Sequence, residues 1–285
     1  MVDSTKAPAR FDWRVGAALV GLHVGALLAF LPMFFHWSAV IVMLVLIYLT
    51  SGVGISLGFH RLLTHRSLRL AKPLEYAIAL LGTLALQGGP ISWVGTHRIH
   101  HAHSDQDGDP HNANLGFFWS HFEWLLYSKA HLREHGEEYR RAVVDLTSDP
   151  YYVFLEHNQL QLQAALAVIL FALGGWSWII WGIFVRSVVV YHVTWLINSA
   201  SHTTGYRTYR TTDRSTNCWW LALLGWGEGW HNNHHAFPFS ARHGLQWFEF
   251  DVTWVTIKLL AFARLASDIK VPTPEMRRRL RLPAS

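Results

Sequence analysis

The sequence predicts an all-α integral membrane protein, with four transmembrane helices joined to a helical cap on the cytoplasmic side. Three observations predict it. Of 285 residues, 51% are hydrophobic and only 15% charged, where a soluble globular domain carries about a quarter charged. Two long stretches are nearly free of charge. There are also 15 Trp and 19 His; Trp suits a membrane–water boundary, and the histidines exceed what packing needs. The composition excludes an intrinsically disordered chain. The lone Cys218 excludes an internal disulfide framework and a cysteine-built zinc or iron–sulfur site.

The first two helices come from Val15–His60, a run of 46 residues without Asp, Glu, Lys or Arg. A crossing needs about 20 apolar residues. The run therefore holds two, near 15–33 and 37–57, with Leu31-Pro32 through Trp37 as the turn. From His157 to Tyr206 the one charge is Arg186. That stretch holds two more helices, near 160–178 and 180–200, split at Gly174-Gly175. Core helices of a soluble protein rarely run this long without charge. Residues 58–156 and 201–285 are left for the cap, and 1–285 reads as one domain. No internal repeat appears.

Orientation follows from the basic residues. Neither hairpin turn carries Lys or Arg, and 23 of the 24 lie before residue 15, between 61 and 141, or after 206. The positive-inside rule then places both termini and the 61–156 connection in the cytoplasm. The weight falls on Lys6, Arg10, Arg14, Arg61, Arg66, Arg69 and Arg207, which lie nearest the span ends. No short apolar segment with a small-residue cleavage site precedes the first span, so no removable signal peptide is expected. Ala77–Leu86 is too short for a fifth span and reads as an interfacial or protein-buried helix. Val252–Ala266, which includes Lys258 and Arg264, reads as amphipathic and surface-lying. The basic tail Arg277, Arg278, Arg279, Arg281 is either a solvated end or a contact for anionic lipid. A net charge of +5 thus points to a membrane face. No nucleic-acid motif or phosphate-binding glycine loop is present. Arg186, inside the fourth span, is a functional candidate by position; the alternative is pairing with a backbone carbonyl.

The histidines carry the chemical signal. They form three boxes: His60-Arg61-Leu62-Leu63-Thr64-His65, His97-Arg98-Ile99-His100-His101 and His231-Asn232-Asn233-His234-His235. Residues three and four apart share a helix face, so the second and third boxes each present several imidazoles to one side. His60 and His65 lie about 1.4 turns apart and reach one site if the helix end is loosened. Asn198 and His202, four apart, end the fourth span. All four elements fall on one side of the membrane. Nine imidazoles and an amide are too many for one metal and enough for two; imidazole suits iron, zinc, copper and nickel. The alternative is a set of surface histidines or a proton relay. Of the other histidines, His103 and His111 are candidates for supporting roles beside the ligands. His23, His36, His121, His131, His135, His157, His192 and His243 are read as packing or surface residues. Asp105, Asp109 and Glu228 lie near the boxes and could orient ligand imidazoles through the second ring N–H.

At these residues the chain resembles the membrane fatty acid desaturases of the stearoyl-type delta-9 group. The likeness runs through Gly58–His65, His97–His101, Asp109-Pro110-His111, Trp195–His202 and Glu228–Pro238, and covers about residues 35–260. The resemblance implies two irons held by nine histidines. One would take His60, His65, His97, His101 and His234; the other His100, His202, His231 and His235, with Asn198 acting through a water. It implies oxygen-dependent insertion of a cis double bond, of delta-9 type, into a saturated acyl chain. Gln87, Thr194 and Trp195 match positions where the family's acyl tunnel bends, and Trp93 is a further tunnel residue. Animal acyl-CoA desaturases carry Trp-x-Arg-Asp before the second box. Here the stretch is Trp93-Val94-Gly95-Thr96, without the charged pair that contacts CoA. Ser240-Ala241-Arg242-His243-Gly244-Leu245, after the third box, looks more like the bacterial and plastid branch, several of whose members act on acyl groups esterified in lipid. The expected substrate is an acyl-lipid or acyl-CoA, with a lean to acyl-lipid. The reaction consumes two electrons, and the chain has no haem domain, flavin motif or cysteine set. An external donor is therefore expected, ferredoxin or a small cytochrome with its reductase; the basic residues around 133–141 and the tail read first as a solvated face, with an acidic donor surface as the alternative. Two other functions share some of these features: a di-iron alkyl hydroxylase, and a membrane metal carrier, which would want more polar residues along the spans.

Overall fold

The computed structural model describes residues 10–127 and 136–283; Lys6, Arg133, His131 and His135 lie outside the described residues. The fold is predominantly helical. Helix α1 (Trp13–Leu27) starts at Asp12, whose carboxylate accepts the Arg14 and Val15 backbone N–H groups. Such a side chain satisfies donors that have no partner inside the helix. Short 3₁₀ turns and Pro32 end the apolar run. Helix α2 (Trp37–Ile47) continues without a break into the π-wound segment Tyr48–Thr64. It therefore runs well past residue 57, where the charge pattern alone would end it.

Helix α3 (Lys72–Thr83) takes up the Ala77–Leu86 run as far as Thr83, with a turn at 84–86, and buries Ile78, Ala79, Gly82 and Thr83, so it is a protein-buried helix. It lies backbone-to-backbone on the π-wound segment. A Cβ on Gly54 would stand 2.3 Å from the Gly82 nitrogen, and one on Gly58 2.6 Å from Ile78. Small residues are what allow so close an approach. Helix α4 (Pro90–His103) crosses the same segment, and the short α5 (Phe117–His121) follows.

Helices α6 (Gln159–Ile179) and α7 (Arg186–Ser199) belong to one 44-residue apolar stretch, Gln159–His202. Gly175 breaks it, with φ +63 and ψ −155. The chain folds back there: a Cβ on Gly182 would meet Leu170 at 2.9 Å, although twelve residues of straight helix span about 18 Å. Three helical stretches, Trp13–Phe30, Trp37–Thr64 and Gln159–His202, are long and apolar enough to cross a membrane. They display Val24, Phe30, Ile41, Leu44, Val168 and Leu173 outward, as lipid contact requires. Arg186 is fully buried; it donates to the Leu84 carbonyl at 2.6 Å and reaches Thr50 Oγ1 at 3.4 Å. Its partners are structural, and it ties the π-wound segment and the end of α3 to α7.

Beyond the apolar helices come α8 (His231–Ala236) and α9 (Val252–Phe262). Helix α9 buries Thr253 and Ile257 and exposes Leu259 and Phe262, which suits a surface-lying position. One element was not foreseen: Arg69–Leu70 pairs antiparallel with Ala266–Ser267, pinning the chain after α9 to the end of the first histidine segment. Arg277 donates to Tyr209 Oη at 3.1 Å and to the Leu245 carbonyl, so this residue of the basic tail is anchored. Arg140 and Arg141 both pair with Glu137.

Candidate metal centre

The three boxes and His202 meet beside the membrane-facing helices. Helix α4 divides its imidazoles between two clusters: His97 and His101, four apart, face one, and His100 faces the other. Helix α8 does the reverse, sending His234 to the first cluster and His231 with His235 to the second. The π-wound segment supplies His60 and His65. Their five-residue step closes through a His65 N–H to His60 carbonyl bond of 3.1 Å, the i→i+5 spacing of π winding. This is the loosened helix end that the spacing required. His202 sits on a 3₁₀ turn, Ala200–His202, that ends α7.

Two groups result. His60, His65, His97, His101 and His234 form one, and His100, His202, His231 and His235 the other; in each, ring nitrogens lie within 4.8 Å of one another. In the first, His60 Nε2 is 3.1 Å from His234 Nε2, which is 2.9 Å from His101 Nε2, itself 3.1 Å from His97 Nε2. In the second, His231 Nε2 is 3.0 Å from both His202 Nε2 and His235 Nε2.

Carboxylates behind the rings fix which nitrogen points inward. Glu228 meets His60 Nδ1 at 2.6 Å, Asp109 meets His100 Nδ1 at 2.9 Å, Asp105 meets His202 Nδ1 at 2.8 Å and Asp213 meets His235 Nδ1 at 2.7 Å. A carboxylate only accepts, so each Nδ1 carries a proton, and the tautomer with its second nitrogen free turns an Nε2 lone pair inward. His202 and His235 thus aim lone pairs at His231 Nε2, which holds at most one proton and donates to one of them. The buried Nε2 atoms of His65 and His100 have no hydrogen-bond partner among the described residues. Converging buried lone pairs are costly unless a cation fills the gap, so the donor set fits metal ions.

The electrostatics agree. Burial, followed by neighbouring imidazoles, holds His65, His97, His101, His231 and His234 well below the ordinary histidine value. They are neutral, as ligation demands. Burial alone would raise Asp105, but its hydrogen bond to His202 and the charge interaction bring it down to about 2. Asp109 and Asp213 are likewise depressed by their histidines against the effect of burial.

A third histidine array shows what such distances mean where no metal is needed. His23 Nδ1 lies 2.7 Å from the Leu19 carbonyl, which only accepts, so His23 Nε2 is a lone pair. It accepts from His192 Nε2 at 3.1 Å; His192 Nδ1 accepts from His121 Nε2 at 3.1 Å; His121 Nδ1 faces Ser199 Oγ at 3.1 Å. His23 and His192 there each have one donor and one acceptor contact in a consistent direction, and Ser199 Oγ, also 2.8 Å from the Trp195 carbonyl, has one proton for that oxygen or for His121 Nδ1. The two clusters beside the carboxylates admit no such assignment.

An apolar cavity of about 480 Å3 adjoins the five-histidine cluster at His97. Gln87, Trp93, Thr194 and Trp195 all line it, together with His97, His111 and Asn198. Gln87 Nε2 donates to Thr194 Oγ1 at 2.9 Å, and Trp93 stacks on His97 at 5.1 Å. On α1 the wall is Val15, Ala18, Leu19 and Leu22, one helix face. A smaller void of about 50 Å3, bounded by His60, His97, His100, Thr194, Asn198 and His231, lies between tunnel and clusters. Asn198 therefore borders both spaces. His111 lies against the His100 ring at 4.2 Å, while His103 turns away to Glu138 at 3.0 Å.

Sequence reasoning missed three residues. His243 is buried 3.3 Å from Glu228 and 4.5 Å from the His234 ring, yet it lies outside every box. Asp213 holds His235 from a loop with no motif. Asp251 grips Arg61 with both oxygens at 3.0 Å while Arg61 meets Glu228 at 3.1 Å. Gly227, at φ +111, permits this approach, because a Cβ there would strike Asp251.

Helices long and apolar enough to cross a membrane, two histidine clusters that fit metal ions and an apolar cavity together suit a membrane enzyme of the lipid-modifying, metal-dependent class. The fatty acid desaturase family model matches residues 35–259, and the chain belongs to that family. It is 55% identical over 271 residues to the sn-1 stearoyl-lipid 9-desaturase of Anabaena variabilis, covering 95% of this chain and 98% of that one. It is 47% identical over 254 residues to the sn-2 palmitoyl-lipid 9-desaturase of Nostoc sp. (strain 36), covering 89% and 88%. An acyl-CoA 5-desaturase of Anemone leveillei is 48% identical over 263 residues, covering 91% of this chain and 80% of its own.

Proposed function

We propose that this fatty acid desaturase inserts a cis double bond of delta-9 type into a saturated acyl chain esterified in a membrane lipid. The observation that carries this reading is an apolar cavity that reaches His97 of the five-histidine cluster and shares Trp93, Thr194 and Asn198 with the small void bounded by both clusters. The nine clustered histidines would hold two irons, five on one and four on the other, with Asn198 contributing through a water. Bound there, the irons supply the oxidising power, from oxygen and two electrons, that removes hydrogen from an unactivated methylene. The protein does the rest. The tunnel walls align the chain so that two neighbouring methylenes lie against the small void. The Gln87–Thr194 hydrogen bond and the Trp195 ring hold the bend. Trp93, on His97, narrows the passage and keeps water from the site. Glu228, Asp105, Asp109 and Asp213 lock the ligand rings in one tautomer.

Lipid-bound substrate is favoured by the position where acyl-CoA desaturases of animals carry arginine. It is Gly95 here, and a Cβ would already stand 2.5 Å from the Tyr139 ring. No long basic side chain fits. We place four crossings in the membrane, with the turn at Gly175 making two of the 44-residue stretch. Both termini and the metal centre lie on the cytoplasmic side, and the chain acts as one domain. Electrons come from an external carrier, ferredoxin or a small cytochrome with its reductase.

The test is expression in a host lacking desaturases, with fatty-acid analysis of each lipid class. Monoenes in intact glycerolipid ahead of the acyl-CoA pool are expected. Hydroxylated acyl chains would instead make the protein a hydroxylase, and an unchanged lipid profile with bound metal would make it a carrier.

A further inference from the structure

The two clusters differ in what stands behind them. In the four-histidine cluster, His100, His202 and His235 each donate Nδ1–H to a separate carboxylate: Asp109, Asp105 and Asp213. Among the described residues no Lys or Arg side chain pairs with these three. Arg214 reaches Asp105 only through its backbone N–H, and its guanidinium goes to Asn114. Among the described residues, His60 alone of the five-histidine cluster has a carboxylate, Glu228. That carboxylate is shared with the Arg61 guanidinium and the Ser56 hydroxyl, and Asp251 shares the same guanidinium.

An imidazole that donates to a carboxylate gains anionic character and becomes a more basic ligand. Anionic surroundings stabilise a metal's higher charge, and neutral donors favour the lower one. These sites are buried, so the difference is weakly screened. Three carboxylates without a cationic side-chain partner and four rings therefore oppose two carboxylates sharing one guanidinium and five rings. We infer that the two metal positions are electronically unequal: the one framed by His100, His202, His231 and His235 keeps its iron ferric, and the five-histidine position takes the first electron. This rests on the di-iron reading. The step is one electron from the external donor reducing one ferric ion to ferrous, with no bond made or broken in the protein.

The test uses the full chain in detergent, loaded with iron-57 and reduced by dithionite to one electron per two irons. Mössbauer spectra give the ferrous fraction of each quadrupole doublet. The doublet altered by Asp213→Asn marks the four-histidine position. In the wild type that doublet should stay ferric, with the other reduced in about tenfold or greater preference, roughly 59 mV for one electron. Asp213→Asn should shrink the preference, and Glu228→Gln should shrink it too if Glu228 acts only by holding His60 in place. If Glu228 acts by charge, as inferred, Glu228→Gln enlarges the preference instead. Should Asp213→Asn fail to retain two irons, Asp105→Asn, on a different segment, takes its place. Equal reduction of both doublets in the wild type, or first reduction of the marked one, overturns the inference. Absence of two histidine-bound irons from the wild type would sink the di-iron reading itself.

Discussion

His100 shows how much one side chain decides. Its Nδ1–H is committed to Asp109, and its Nε2 faces the second cluster without a partner. His100→Ala should cut iron from about two to about one per chain and abolish desaturation; metal analysis of the purified variant checks it. Glu228→Gln leaves every clustered histidine in place but replaces the carboxylate that orients His60 with a neutral amide. Loss of such an outer partner costs roughly 10–100-fold in metal affinity or activity, measurable by competition with a chelator. Asn198→Ala should do less harm than any histidine variant, because an amide acting through water is easier to replace. Turnover at the wild-type level in Asn198→Leu would deny it a metal role.

Helices carry the next level of argument. The π-wound segment and α3 meet at Gly54 and Gly82, where an added Cβ would overlap backbone. Gly54→Ala should destabilise the protein by roughly 1–3 kcal/mol through overpacking, read as a lowered midpoint of thermal unfolding in detergent. The His23–His192–His121 chain joins α1, α7 and α5. Burial, and then the His192 imidazole, hold His121 below the ordinary histidine value of about 6.5. The folded state thus prefers the neutral ring. That contribution is fully present above the unfolded value and is lost as pH falls through the folded one. On acidification from about pH 7.5 to 5.5, His121→Gln should lose less thermal stability than the wild type. An equal loss would show that the chain titrates normally.

At the scale of the whole molecule, the tunnel ties membrane depth to chemistry. Leu22 lies farthest along the α1 wall from the clusters, so Leu22→Trp should shorten the cavity and move the preference toward shorter acyl chains. Gas chromatography of products from mixed substrates reads it directly. Much of this organisation was legible in the sequence. Charge-free stretches mark the apolar helices because charge is costly in lipid, and i, i+3, i+4 spacing groups the imidazoles because that is how a helix presents them. The boxes could not reveal His243 or Asp213, which reach the site only through loop folding. Nor could charge pattern mark the end of α2, because Gly54, Gly58 and buried Arg61 extend it through contacts with α3, Glu228 and Asp251.

That extension has a consequence for how the gene can vary. Wide winding lets His60 and His65 converge, and it does so by fitting more residues into the same rise than an ordinary helix would hold. Deleting one residue between Tyr48 and Phe59 would let the segment relax to the commoner geometry. It would also swing everything beyond the cut by about 100°, carrying both imidazoles off target while leaving the apolar run intact. Length changes here should therefore be far less forgivable than substitutions, and a shortened variant should still insert in the bilayer yet arrive there inert.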